Sequence, residues 1–109
     1  MDDGELVRAL KALADPVRFR MVRELAAAGE LSCGEVQTHF RLSQPTISHH
    51  LKILSEAGIV AVRAEAKHHY FSVDRALLRA LVGLIPARLG AEAARAGQRA
   101  KSKRAVARG

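Results

Sequence analysis

The chain of 109 residues is poor in cysteine and in aromatic residues: it has one cysteine, no tryptophan and 4% Phe, Trp and Tyr together. A single cysteine excludes a disulfide within the chain. No run of about 18 apolar residues occurs, so we expect no membrane-spanning helix. No charged and apolar leader is visible at the start, so we expect a cytoplasmic protein. The core must be built from Leu, Val, Ile and Ala, which favours a single, largely helical domain.

Acidic residues are fewer than basic ones, and the excess is concentrated near the C-terminus. The chain has 18 Lys and Arg against 11 Asp and Glu, a formal net charge of +7. Residues 86–109 contain seven of the basic residues and one of the acidic ones. We therefore expect a folded domain over residues 1–89 and a basic Ala/Arg/Lys-rich tail over residues 90–109, either a frayed helix or disordered, that can contact phosphate. Net charge alone therefore does not predict a domain that reads DNA.

Apolar residues recur at helical spacing over residues 5–14, which predicts a first helix. Asp15 then supplies an N-cap, and Pro16 fills a first helical position, where its missing N–H costs nothing. A second helix therefore begins here. We expect it to stop at Gly29, which is suited to the left-handed C-cap conformation.

Two further helices are predicted before Gly58. Ser32 and Glu35 have the spacing of a capping box, which indicates the start of a short third helix. Ser43 is the expected N-cap of a fourth helix, which tolerates Pro45 in its first turn and ends at Gly58. A short helix followed closely by a longer one is typical of a helix-turn-helix.

After Gly58 the apolar period changes from about 3.6 residues to about 2, which predicts a β-hairpin with its corner at residues 65–67. Asp74 then caps a fifth helix, which Pro86 is expected to end or kink. The predicted fold is mainly α with a small β-hairpin, in the order α-α-α-α-β-β-α. A hairpin in this place is the wing of a winged helix-turn-helix.

The fourth helix has an apolar side and an unusual polar side. Ile47, Leu51 and Leu54 fall four and three residues apart, so they line one side of the helix. The other side carries short or flat hydrogen-bonding groups in place of mixed Glu and Lys pairs. Base edges in the major groove of B-DNA offer donors and acceptors that such groups match. The residues predicted to read bases are Ser43, Gln44, Thr46, Ser48 and His49.

Other residues predicted to contact DNA lie beside the reading residues or on the wing. They are Lys52 and Arg41, nearer to phosphates, and Arg63, Lys67 and His68 on the wing. The alternative is a solvated helix whose polar side has no partner, since helix N-termini favour such residues in any case. The short helix before it, the hairpin after it and the absence of acidic residues over positions 42–54 together favour DNA binding.

These features coincide with the sequence pattern of a known family. The segments that carry the pattern are LADPVRFRMVREL at 13–25, GELSCGEV at 29–36, LSQPTISHHLKILSEAGIV at 42–60 and HHYFSVD at 68–74. Over roughly residues 5–85 the chain resembles the ArsR/SmtB family of winged helix-turn-helix repressors. The resemblance implies a homodimer joined largely through its first and fifth helices, an inverted-repeat operator with one recognition helix per half-site, and repression that an inducer relieves.

The terminal helices carry broad apolar stripes that a small monomer would struggle to cover, which favours a dimer on physical grounds too. The predicted interface residues are Leu6, Leu10, Leu13, Leu77, Leu81, Leu84 and Ile85. The alternative is that both stripes pack into one small core.

The metal-binding patterns of the resembled family are missing. Where its arsenic-sensing members have two cysteines one residue apart, this chain has Ser32 and Gly34, with Cys33 between them. Of its zinc-type pattern on the last helix only Asp74 remains, and helix capping already explains that residue. The five histidines are spread over three predicted elements, two of them in the fourth helix, whereas a transition-metal site needs converging ligands. We therefore predict no metal and no cofactor.

Cys33 lies in the first turn after the Ser32 cap, where the helix dipole favours the reactive thiolate. Oxidation or alkylation there would displace the helix-turn-helix and act as a redox signal. The alternative is a small, half-buried hydrophobic residue without a redox role.

Two other classes of function stand beside the repressor of double-stranded DNA. A nonspecific, nucleoid-like DNA-binding protein would depend on the basic tail. An enzyme would need Cys33 as its nucleophile and His39 as its base, but their spacing on one short helix is poor and no glycine-rich phosphate loop is visible. We therefore predict a transcriptional regulator and no enzyme.

Overall fold

The computed structural model describes residues 1–91, which form five helices and a three-stranded antiparallel sheet. The elements are α1 (Asp3–Leu13), α2 (Pro16–Ala28), β1 (Leu31–Ser32), α3 (Cys33–Phe40), α4 (Gln44–Glu56), β2 (Val60–Glu65), β3 (His68–Val73) and α5 (Arg75–Arg88). This arrangement confirms the predicted winged helix-turn-helix, with α3 and α4 as the helix pair and β2 and β3 as the wing. Within the described residues, no helix has the length and the apolar character needed to cross a membrane.

The chain divides into two units after Leu78. The first unit, Met1–Leu78, contains α1 to α4, the sheet and the first turn of α5. In the second unit, α5 continues to Arg88. The basic tail predicted over residues 90–109 lies outside the described residues from residue 92 onward.

Side-chain caps begin α2 and α3 where the sequence predicts them. Asp15 Oδ2 accepts hydrogen bonds from the N–H groups of Val17 (2.9 Å) and Arg18 (3.0 Å), and the bond from Arg18 is the main cause that lowers the pKa of the Asp15 carboxyl. Ser32 and Glu35 form the predicted capping box, each side chain accepting from the backbone N–H of the other. These local bonds satisfy N–H groups that a first turn leaves free, so they fix where α2 and α3 start.

Helix α1 buries two of its alanines together with Leu6 and leaves Leu10, the second leucine of the predicted stripe, at the surface. It starts two residues earlier than predicted, because Asp2 and Glu5 form a further capping box. Ala9 and Ala12 are 0% and 1% exposed, whereas Leu10 is 38% exposed. Small side chains allow close approach of neighbouring elements, so α1 packs on its alanine side and leaves Leu10 at the surface.

The short strand β1 is an element that the sequence does not predict. Leu31 pairs with Phe71 and Ser32 pairs with Tyr70, so β3 is the central strand in the order β1-β3-β2. Two residues are too few to show the alternation by which strands are recognised. The predicted order therefore omits one strand, which joins the start of α3 to the wing.

The hairpin has its corner where the sequence predicts it. The register of β2 and β3 ends with Glu65 opposite His68, which leaves Ala66 and Lys67 as a two-residue turn. Ala66 has a φ of 53°, in the left-handed region that favours glycine. The wing therefore contains a local backbone strain at its tip.

The core of the first unit surrounds α4, which packs against α1, α2, α3 and β2. The predicted apolar stripe of Ile47, Leu51 and Leu54 is confirmed, since none of the three is more than 2% exposed. The largest fully buried side chains are Met21, Leu25, Val36, Ile47, Leu51, Leu54 and Ile59. Because one side of α4 is buried so completely, its rotation about its own axis is fixed.

Pro86 lies inside α5, which continues to Arg88. Of the two expected effects of Pro86, ending the helix is therefore wrong, and a kink stays a prediction. Proline removes its own N–H from the helical ladder and its ring crowds the carbonyl four residues earlier, yet the N–H of Leu89 still donates to the Ile85 carbonyl at 3.1 Å. After Pro86, the backbone first adopts a positive φ at Gly90, where φ is 77°.

Candidate nucleic-acid interface

The turn between α3 and α4 is tight and contains no glycine. Arg41, the C-cap of α3, has φ 53° and ψ 38°, and its N–H donates to the Gln37 carbonyl at 2.8 Å. Ser43 then begins α4: its Oγ accepts from the N–H of Thr46 at 3.4 Å and lies 2.9 Å from Thr46 Oγ1. The chain leaves one helix and enters the next within residues 41–43, which is the compact geometry of a helix-turn-helix.

The residues predicted to read bases lie in solvent on the side of α4 opposite its buried stripe. All of them are exposed: Ser43, Gln44, Thr46, Ser48 and His49. Lys52 is exposed one turn later, with its Nζ 3.9 Å from Glu56 Oε1 in a weak surface pair. Hydroxyls and an amide supply donors and acceptors, and the ammonium supplies donors only. This set can match base edges in a major groove.

Arg18 of α2 contacts α4 through a side-chain hydrogen bond. Arg18 Nε donates to the Ala12 carbonyl at 2.7 Å, and Arg18 Nη1 lies 3.3 Å from His50 Nδ1. Arginine only donates, so Nδ1 of His50 is the acceptor and its proton lies elsewhere. Burial is the main cause that lowers the pKa of His50; Asp15 opposes it, and the charge of Arg18 adds to it. The sequence gives no signal for this contact, because its partners are 32 residues apart.

Arg63, on the wing, already forms ion pairs with two carboxylates. Arg63 donates from Nε (3.1 Å) and Nη2 (2.8 Å) to Glu30 and from Nη1 to Glu65, and its guanidinium lies 4.6 Å from the centroid of the Tyr70 ring. The hydrogen bonds with Glu30 are the main cause that raises the pKa of Arg63 and lowers that of Glu30. Sequence reasoning missed Glu30, which is distant along the chain. A phosphate would have to compete with two carboxylates for the predicted Arg63 contact.

The remaining residues predicted to contact phosphate lie at the surface. Lys67 and His68 are exposed at the corner of the wing, and Arg41 is exposed in the turn before α4. The His68 ring lies 6.3 Å from the Tyr70 ring, centroid to centroid. These side chains flank α4 in the chain on both sides, through the turn before it and the wing after it.

Cys33 is half-buried and lines an open cavity of about 490 Å³ beside α4 and the wing. The other lining residues are Ser48, Leu51, Lys52, Ser55, Val62, His69 and Phe71. The thiol can therefore be reached from the groove between α4 and the wing. Within residues 1–91, no three His, Cys, Asp or Glu side chains form a group that could hold a metal ion.

The residues predicted to form a dimer interface differ in exposure. Leu6 and Leu81 are buried, Leu10 is exposed, and Leu13, Leu77, Leu84 and Ile85 are half-buried. On α1 and α2, the exposed apolar residues Val7 (47%) and Phe19 (53%) are absent from that prediction. Phe19 and Leu13 line an apolar cavity of about 280 Å³ with Val22, Arg23, Ala26 and Leu78. The exposed apolar surface of this unit therefore extends onto α2.

Known proteins with related sequences and structures are transcriptional regulators. The Helix-turn-helix domain family matches residues 13–63. The transcriptional repressor SdpR of Bacillus subtilis (strain 168) is 35% identical over 69 residues, which cover 63% of this chain and 76% of SdpR. The arsenical resistance operon repressor of Staphylococcus aureus is 36% identical over 78 residues, which cover 72% of this chain and 74% of that repressor. An ArsR-like transcriptional regulator from Rhodococcus sp. RHA1 superposes with a TM-score of 0.76 at 25% identity, over 91% of this chain and 92% of that one. The chain belongs to the ArsR/SmtB family of winged helix-turn-helix transcriptional repressors.

Proposed function

We propose that the protein is a sequence-specific repressor whose helix α4 enters the major groove of double-stranded DNA. The observation that carries this proposal is the division of α4 into a buried apolar side and a polar side in solvent. A helix fixed by its apolar side offers the polar side to a partner as a rigid set of groups. Gln44 is suited to pair bidentately with adenine, and the methyl group of Thr46 is suited to meet a thymine methyl.

Phosphate contacts beside α4 set the register of the protein on the duplex. The candidate residues are Arg41, Lys52, Lys67 and His68, with Arg63 joining them when phosphate displaces its carboxylates. These contacts carry affinity and salt dependence, whereas the base contacts of α4 carry sequence preference.

A homodimer that reads an inverted repeat extends the proposal. One helix reads only a few base pairs, and a two-fold pair of chains doubles the recognised sequence and fixes the half-site spacing. The apolar side chains that the first unit leaves exposed, Leu10 and Phe19 among them, support a partner surface on α1 and α2.

The signal that releases the repressor from DNA would not be one that two thiolates of the same protomer must bind. The chain has a single cysteine, so it cannot offer two thiolates to an arsenical within one protomer. Cys33 is the one thiol on which an oxidant or alkylating agent would act. Alkylation there would fill part of the cavity that it lines beside α4 and the wing.

The test is selection of an operator from random duplexes with the purified full-length chain, followed by footprinting. We expect a protected inverted repeat. Gln44→Ala and His49→Ala should each reduce the preference for the selected over a scrambled duplex by about tenfold, since a base contact contributes ~1–3 kcal/mol of discrimination. Wild-type protein with equal affinity for both duplexes would contradict the proposal.

A nonspecific, nucleoid-like protein is the alternative, and deletion of residues 90–109 separates the two. If the tail supplies only phosphate contacts, the deletion reduces the salt dependence and keeps the sequence preference. If the tail is the binding element, the deletion abolishes binding. The relatives named as repressors favour the first outcome.

A further inference from the structure

Arg20 of α2 lies against the end of α3. Its guanidinium carbon is 4.4 Å from the centroid of the Phe40 ring, within the range of a cation–π contact. Phe40 is the last residue of α3 and is only 7% exposed, so its ring is a fixed platform. Arg20 itself is exposed. Its charge is thus held in solvent at the point where the chain leaves α3 for α4.

No carboxylate within residues 1–91 forms an ion pair with Arg20. The nearest acidic residue on the same face of α2 is Glu24, whose carboxylate lies 3.7 Å from His39 Nδ1. Two other arginines differ in this respect. Arg18 bonds to groups inside the first unit, and Arg63 is bound by two glutamates. Among residues 1–91, Arg20 therefore has no ion-pair partner, and its hydrogen-bond donors stay available to a phosphate.

We propose that Arg20 and Arg41 form a phosphate-binding surface, the α2–α3 corner, which consists of these two arginines and the Phe40 ring. This inference rests on the proposed function of α4 as the reading helix. In a helix-turn-helix the first helix crosses the DNA backbone while the second enters the groove. Because α3 is that first helix, the α2–α3 corner meets the backbone when α4 is inserted.

The chemistry of the α2–α3 corner suits a phosphate. A guanidinium stacked on a ring keeps its planar N–H donors at its edge, the geometry that binds phosphate oxygens bidentately. Stacking also restricts the long side chain before binding, so less rotamer entropy is lost on contact. Arg41, the neighbour of Phe40 in the chain, adds a second exposed charge.

The test measures the salt dependence of binding by the full-length chain to two duplexes, one selected as operator and one scrambled with the same composition. Arg20→Gln should reduce the magnitude of the slope of log affinity against log salt by about 0.9 per protomer, equally on both duplexes. Arg20→Lys keeps the charge and should retain most of the slope.

Arg23→Gln is the matched control. Arg23 is an exposed arginine on the same helix that lies 5.6 Å from the Phe19 ring, so the change in net charge and the type of contact are the same. It lines the apolar cavity beside Leu78, and the ring that it lies against is Phe19. We expect the slope of Arg23→Gln to remain that of the wild type.

The outcomes separate this inference from the proposed function. A wild-type salt slope for Arg20→Gln would contradict phosphate binding by the α2–α3 corner. Equal reductions of the slope in Arg20→Gln and Arg23→Gln would contradict it as well. A changed ratio of selected to scrambled affinity in Arg20→Gln would also overturn it, because a phosphate contact carries no sequence preference. If the wild type prefers neither duplex while only Arg20→Gln reduces the slope, the result supports phosphate binding by the α2–α3 corner and contradicts the sequence-specific function. Wild-type protein that binds no duplex overturns both.

Discussion

Arg18 Nη1 lies 3.3 Å from His50 Nδ1, so an arginine of α2 is hydrogen-bonded to an imidazole on the recognition helix α4. The same arginine donates to the Ala12 carbonyl near the end of α1. One side chain therefore joins three helices. Because arginine cannot accept, the orientation that this bond gives to α4 requires a neutral His50.

This relationship predicts a pH dependence of folding. The pKa of His50 in the folded chain is lowered below its usual value of 6.5, mainly by burial. As the pH falls below 6.5, the unfolded chain therefore binds a proton before the folded chain does. The stability contributed by His50 is complete above that pH and decreases as the pH falls toward the folded pKa. Urea unfolding of wild type and His50→Gln between about pH 7.5 and about pH 5 measures it, since glutamine does not titrate. We expect the wild type to lose more stability on acidification, and parallel curves for the two proteins would contradict the prediction.

The left-handed backbone at Arg41 predicts an unusual response to glycine. Arg41→Gly and Arg41→Ala both remove the guanidinium, but only glycine adopts a φ of 53° without strain. We expect the glycine variant to be more stable than the alanine variant by about 1 kcal/mol in chemical unfolding. Affinity for DNA should be equal in the two, because both lack the charge. An alanine variant as stable as the glycine variant would show that the turn has another conformation.

Glu30 is predicted to keep the Arg63 guanidinium from binding phosphate. Glu30→Gln removes the negative charge and one of the two oxygens that accept from Arg63, so the bidentate ion pair is lost and Glu65 is the remaining carboxylate against Arg63. The freed guanidinium should raise the affinity for selected and scrambled duplexes alike and increase the salt slope by up to about 0.9 per protomer. The control is the same substitution in an Arg63→Gln background, where the additional slope should vanish. Equal gains in both backgrounds would mean that Glu30 acts only through its own charge.

Leu10 is predicted to lie in a homodimer interface, because α1 buries its alanine side and leaves Leu10 exposed. Leu10→Glu should weaken self-association at least about tenfold, as expected when a charge replaces a buried interface leucine. Lys11→Glu introduces the same carboxylate at the next exposed position and should have a smaller effect. Sedimentation equilibrium measures both. A wild type that is monomeric at all concentrations would refute the dimer.

The two sides of α4 should respond differently to truncation. Ile47 is 0% exposed, so Ile47→Ala should lower the free energy of unfolding by about 2–5 kcal/mol. Ser48, the next residue, is exposed, so Ser48→Ala should change stability by less than about 0.5 kcal/mol and reduce DNA affinity instead. Denaturant unfolding and duplex titration of both variants separate these effects. A destabilised Ser48→Ala would contradict the assignment of this face to a partner.

Patterns over three or four residues were sufficient to predict most of the secondary structure. The caps at Asp15 and Ser32 and the buried stripe of Ile47 and Leu51 follow from backbone geometry that repeats within one or two helical turns. The helix-turn-helix and the wing follow from these local elements in order. The polar residues of α4 could be nominated as readers for the same reason: burial of one side of a helix leaves the other side exposed.

Contacts between distant parts of the chain could not be predicted from the sequence and follow from the fold. Arg63 meets Glu30 across 33 residues and Arg18 meets His50 across 32, separations at which sequence spacing holds no geometric information. The same applies to Leu31 in β1, which becomes a strand only because Phe71 lies beside it. In α1, Ala9 and Ala12 are buried with Leu6 whereas Leu10 is exposed, because close packing with the neighbouring elements decides which side of the helix faces the core. Local sequence patterns thus fixed where most of the helices begin and which side of α4 is polar, whereas packing fixed which arginines of residues 1–91 are bound by other groups of the chain, because those partners are distant in sequence.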